Sequence, residues 1–155
     1  MSLHIALFEP EIPPNTGNII RLCANANAQL HLIHPLGFPW DDKRVRRAGL
    51  DYHEFADVQH HLDFDAFLKE FSLDQIYAVS TKGTQTYSDN TYKDNDVFLF
   101  GPETRGLPPG ILKHFPPDHI IRIPMQANSR SLNLSNATAV ILYEALRQQH
   151  FAELA

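Results

Sequence analysis

Five short apolar runs, at residues 3–8, 30–33, 75–80, 97–100 and 120–123, limit what this chain can fold into. Several end at Gly or Pro, and none alternates cleanly between apolar and polar residues. Such runs suit strands buried on both faces of a parallel sheet. Segments with helical patterning lie between them, at 17–26, 42–48, 64–71, 108–114 and 134–149. Strand–helix alternation of this kind predicts an α/β fold, with a mostly parallel central sheet flanked by helices. The 155 residues hold no repeat, low-complexity tract or linker, so residues 1–155 read as one domain. A hydrophobic share of 43% supports a core without disulfide or metal staples.

Cys23 is the only cysteine, which rules out an internal disulfide and fits a cytoplasmic setting. No apolar run is long enough for a membrane span, and the start of the chain lacks a signal-peptide pattern. The two sequons at Asn133 and Asn136 therefore need an explanation other than glycosylation. There is no GxGxxG after the first strand, no P-loop, no GxSxG elbow and no HExxH, and no metal site is expected. His60-His61 and the pair His31/His34 read as surface or packing residues. The net charge of −5 argues against a nucleic-acid binder, but Lys43, Arg44, Arg46 and Arg47 concentrate positive charge locally. That cluster fits either a solvated helix face or an RNA contact, and Asp41-Asp42 would cap it.

Two helices have unusual faces. Ile19, Leu22, Cys23 and Ala26 form the apolar stripe of the first, while Asn18, Arg21 and Asn25 line up on another face. That row is either a solvent face or a functional one. The last helix is polar between 137 and 146 only at Thr138 and Glu144. A helix so apolar must be covered on more than one side, which predicts a homodimer built on it, with Tyr143 at or near the interface.

Ligands of parallel α/β sheets bind beyond the carboxyl ends of the strands, where three loops stand out. Residues 10–18 lead into the helix bearing Arg21; Asn15 or Thr16 would cap it, leaving free N–H groups for an anion. Residues 98–108 run from a strand into Gly101, Glu103 and Arg105, which fits a ligand loop or an ordinary turn with a surface ion pair. The third loop spans residues 121–137, and its residues 129–137 put three serines and two asparagines at the start of the last helix, more than capping requires.

Three motifs now carry a likeness. Asn15-Thr16-Gly17-Asn18-Ile19-Ile20-Arg21, Phe100-Gly101-Pro102-Glu103-Thr104-Arg105-Gly106-Leu107-Pro108, and Ile123-Pro124-Met125 with Ser129-Arg130-Ser131-Leu132-Asn133-Leu134-Ser135-Asn136-Ala137 resemble, in order and spacing, those of the SpoU branch of the SPOUT methyltransferases. The resemblance runs from residue 3 to about 148 and is nearest the small YibK/TrmL type. It implies a deep trefoil knot near the C-terminus, an obligate homodimer, and S-adenosylmethionine as methyl donor, giving S-adenosylhomocysteine. The implied cofactor residues are Val79, Gly101, Ile123, Met125, Ser131 and Leu132. The implied substrate is tRNA, methylated on the wobble ribose 2′-hydroxyl in leucine tRNAs; ribosomal RNA and a non-catalytic RNA-binding role are the alternatives. Arg21 matches the catalytic arginine. Because guanidinium groups stay protonated at neutral pH, its expected role is to bind phosphate and stabilise the developing alkoxide. Asn15 and Glu103 would orient Arg21 and the ribose. Ser131 and Asn133, the latter counted with the catalytic set, would shape the cofactor loop. Asn136 would meet the dimer partner, and Lys43, Arg44, Arg46, Arg47 and Arg130 would contact RNA.

Overall fold

The computed structural model describes residues 2–41, 43, 47, 49–51, 54 and 57–155. Seven parallel strands form one sheet: β1 (His4–Phe8), β2 (Gln29–Ile33), β3 (Gln59–His61), β4 (Ile76–Val79), β5 (Gln85–Thr86), β6 (Val97–Phe100) and β7 (Ile120–Arg122). Their order across the sheet is β3-β2-β1-β6-β4-β7-β5. The α-helices with bounds among the described residues are α1 (Pro13–Asn25), α2 (Phe64–Leu68), α3 (Pro109–Leu112) and α4 (Leu134–Gln148). No helix among the described residues is long and apolar enough to cross a membrane.

Both faces of the central strands are buried, which is why those strands read as mostly apolar runs. Along β1, Ile5 and Leu7 join the core shared with α1 and α4, while Ala6 and Phe8 join the core beneath α2 and α3. β6 divides the same way, with Phe98 and Phe100 on the first face and Val97 and Leu99 on the second. The five expected strands are present. β3 and β5 were missed because they are edge strands of three and two residues, made of Gln, His and Thr.

The start of α1 differs from expectation. Pro13 and Pro14 occupy its first positions, Ile12 is the N-cap without a side-chain cap, and Asn15 and Thr16 lie inside the first turn. Proline presets the helical φ and has no N–H to satisfy, so the helix begins four residues before Gly17. The stripe facing the sheet is Ile19, Ile20 and Cys23, with Ala26 beyond it. Leu22 is only half-buried, whereas Asn18, Arg21 and Asn25 are exposed. Burial pushes the Cys23 thiol up to about 12, so it stays an un-ionised packing group. Asp41 accepts from the Lys43 N–H at 2.9 Å, as a cap would. Asp42 and most of the expected helix at 42–48 lie outside the described residues.

Histidines tie three strands together. His4, His31 and His61 form a chain of ring–ring hydrogen bonds of 2.9 and 2.8 Å across β1, β2 and β3. Phe67 and Phe71 pack edge-on against His31. Burial, then the neighbouring charges of His4 and His61, lower the His31 pKa to about 3; burial also lowers His4 and His61. A histidine depressed in the folded state binds its proton more readily when unfolded. The stability it contributes is complete above pH 6.5 and is lost as pH falls toward the folded value. Between pH 6.5 and 4.5 a loss of about 2–3 kcal/mol is expected, read as a falling denaturation midpoint. A His31→Gln variant should flatten that slope; an unchanged slope would remove the cluster as its cause.

Candidate active site

The strand ends converge as parallel α/β geometry requires. Val79 at the end of β4, Gly101 after β6, Ile123 after β7, and Met125, Ser131 and Leu132 before α4 all line one cavity of about 450 Å³. Asn15, Glu103 and Asn133 line it too. That volume falls in the range of small-molecule sites. The lining also includes residues the sequence reading missed: Ile12, Ser80, Thr81, Lys82, Leu107 and Arg122. Ser80–Lys82 follow a strand end just as Gly101 does, and that position was the available signal.

Gly101 shapes the cavity. A Cβ there would lie 2.3 Å from the Leu107 nitrogen and 2.4 Å from the Gly106 carbonyl carbon. The loop at 101–107 folds back so closely that no side chain fits. Its turn places Glu103 opposite the start of α1. The Glu103 carboxylate accepts from the backbone N–H groups of Glu11 and Ile12, both at 2.8 Å, and from Asn15 Nδ2 at 3.3 Å. Glu11 answers by accepting from the Thr104 N–H at 2.9 Å and its hydroxyl at 2.8 Å. These bonds hold the Glu11 carboxyl below its ordinary pKa. The anion at the α1 N-terminus is thus supplied by the protein itself. The expected phosphate site there is not formed, because Pro13 and Pro14 offer no N–H and Glu103 takes those just before them.

Asn133 completes the relay. Its Nδ2 donates to Asn15 Oδ1 at 3.1 Å, while its Oδ1 caps α4, accepting from Ser135 N at 2.9 Å and Asn136 N at 3.4 Å. Glu103, Asn15 and Asn133 therefore lock three loops into one wall. The ordinary-turn alternative, with Glu103 and Arg105 as a surface pair, is not what forms; Arg105 instead meets Glu9 at 2.9 Å.

Arg21 is not brought into this cavity. It lies about a turn and a half further along α1, half exposed, with Nε 3.3 Å from Glu54 and a guanidinium nitrogen donating to the Gly49 carbonyl. It borders a second cavity of about 400 Å³ on the other side of the α1 first turn. Lys43, Arg47 and Arg130 are exposed, and Arg44 and Arg46 lie outside the described residues. Asn136 and Tyr143 are exposed on α4. Among the described residues no cluster of three or more His, Cys, Asp or Glu could hold a metal.

The model of the SpoU rRNA methylase family matches residues 2–143. The chain belongs to the SpoU rRNA methylase family. A curated relative of this SpoU chain, the tRNA (cytidine(34)-2′-O)-methyltransferase of Yersinia pestis, is 65% identical over 151 residues, covering 94% of this chain and 93% of its own. A solved structure concerned with 2′-OH methylation of C/U34 on tRNA superposes with a TM-score of 0.86 at 42% identity, covering 96% of this chain and 91% of that one. An AdoMet-bound rRNA methyltransferase from Sinorhizobium meliloti superposes at 0.79 with 27% identity, covering 94% of this SpoU chain and 56% of its own.

Proposed function

We propose that this SpoU methylase transfers a methyl group from S-adenosylmethionine to the ribose 2′-hydroxyl of tRNA nucleotide 34, a cytidine or uridine derivative at the wobble position of leucine tRNAs. The observation that carries the reading is the convergence of Val79, Gly101, Ile123, Met125, Ser131 and Leu132 on one cavity walled by Glu103, Asn15 and Asn133. The loop folded tightly against Gly101, the apolar walls and the fixed polar groups shape a cavity that suits an adenosyl ligand. Bound there, the cofactor supplies an electrophilic methyl group. The residues of the chain do the rest. The ribose 2′-hydroxyl would take that methyl group and give up its proton to solvent, with S-adenosylhomocysteine as the leaving product. Arg21 binds the adjacent phosphate and stabilises the negative charge growing on that oxygen. Asn15 and Glu103 fix the start of α1, and so the direction in which Arg21 is presented.

Labelled methyl from S-adenosylmethionine should enter total tRNA and map to the 2′-oxygen of nucleotide 34. Incorporation into ribosomal RNA alone would overturn the substrate assignment. Lys43, Arg44, Arg46, Arg47 and Arg130 serve as backbone contacts in this reading. In the same assay, Lys43→Ala with Arg47→Ala should reduce the salt dependence of tRNA binding.

The working unit is read as a homodimer of single-domain chains. Asn136, Val140, Tyr143 and Arg147 form one exposed stripe along α4, whose opposite side packs on the core. Sedimentation should give a dimer at micromolar concentration, and Tyr143→Asp should shift it toward monomer. The trefoil knot belongs to the same reading. Val79 of β4 and Gln85 of β5 both align with Ile121 of β7, so the short connection between them crosses β7. A crystal structure whose chain closes to an unknotted ring would refute it.

A further inference from the structure

The second cavity, beside α1, has a chemistry of its own. Phe38, Pro39, Trp40 and Leu50 supply apolar and aromatic walls, and Asn18 and Arg21 stand among its polar residues. Thr16 also lines it. The residue is 2% exposed, and its hydroxyl is buried without a hydrogen-bond partner among the described residues. A buried orphan hydroxyl at a cavity wall is a place where a ligand atom is owed, because leaving it unpaired costs stability.

We infer that this cavity receives the base of the nucleotide being methylated, a pyrimidine turned out of the anticodon loop. The inference rests on the tRNA methyltransferase reading above and adds to it the residues that hold the base. Position supports it: Ile12 and Asn15 face the cofactor cavity while Pro13, Pro14, Thr16 and Gly17 face this one. A nucleotide laid across the first turn of α1 would have its ribose near both cavities and its phosphate near Arg21. Single-stranded RNA bases are held by stacking on aromatic rings and by hydrogen bonds to their edges. Trp40 offers such a ring, steadied by an edge-on contact with His60 at 4.7 Å. The Thr16 hydroxyl can donate or accept, so it can pair with the edge of either cytosine or uracil. The pocket then accepts both pyrimidines while fixing where the base lies.

Trp40 is the only tryptophan, so its fluorescence reports this cavity directly. An anticodon stem-loop with cytidine at position 34 should quench it. The same stem-loop abasic at 34, titrated to saturation by anisotropy, should leave it nearly unchanged. Equal quenching by both would overturn the assignment. Trp40→Ala should raise the KM for tRNA about 10- to 100-fold, as expected for a lost base stack, with cofactor affinity by calorimetry unchanged. Thr16→Val should lower kcat/KM about 3- to 10-fold and Thr16→Ser should restore it. Normal kcat/KM in both Trp40→Ala and Thr16→Val would also sink the idea. Failure of the unmodified protein to methylate any tRNA, with base-dependent quenching intact, would count against the methyltransferase reading and not against the base pocket.

Discussion

Arg21→Ala should lower the rate of methyl transfer at saturating tRNA by about 10²–10³-fold while leaving cofactor affinity within about twofold, the scale seen when one charge-stabilising donor is removed. The separation of the two readouts follows from geometry. Arg21 borders the α1 cavity and is absent from the lining of the cavity that holds Gly101 and Ile123. Its ion pair with Glu54 is half exposed on the arginine side, so losing it should barely change folding stability. Arg21→Lys should restore little, because a lysine ammonium cannot reproduce the planar fork of a guanidinium. Single-turnover kinetics with labelled cofactor, beside calorimetric titration of the cofactor alone, provides the check. Near-normal transfer in Arg21→Ala would remove Arg21 from the chemistry.

Gly101→Ala should do the opposite, weakening cofactor binding and destabilising the fold. The added methyl group would sit 2.3 Å from the Leu107 nitrogen and 2.9 Å from its Cα, so backbone must move. Overpacking of this kind costs about 1–3 kcal/mol. The moving loop carries Glu103 and with it the anchoring of Glu11, Ile12 and Asn15. Cofactor affinity should fall at least about tenfold, since a displacement near 1 Å is enough to disassemble a bound geometry. Gly110→Ala is the control: its Cβ would meet nothing within 4 Å, and both affinity and stability should stay close to the original. If the two variants bind cofactor equally well, the close approach at Gly101 does not matter to the site.

Much of this site could be read from strand ends. The β6 run into Gly101 and the β7 run into Ile123 marked ligand loops, because side chains buried on both faces leave only the strand ends free to bind. The first sequon is accounted for: Asn133 caps α4 and reaches Asn15, and Ser135 fills the same cap. Asn136 lies exposed beyond them. Other features were not legible. β5 is two polar residues, and it is a strand only because β7 lies alongside it. His31 and His61 read as surface or packing residues, and only parallel register shows that they join His4 in one partly buried chain.

By itself, the sequence determined the sheet, its buried faces and the family, because apolar periodicity and ordered motifs are properties of the chain. It also singled out Glu103, Asn15 and Arg21 as candidate site residues. Only the tertiary structure decided how they divide. Glu103 lies 88 residues from Asn15 in the chain and within hydrogen-bond reach of it in space, while Arg21, six residues from Asn15, faces a different cavity. Six residues along a helix turn a side chain most of the way to the opposite face, whereas adjacent parallel strands bring distant loops to the same edge of the sheet.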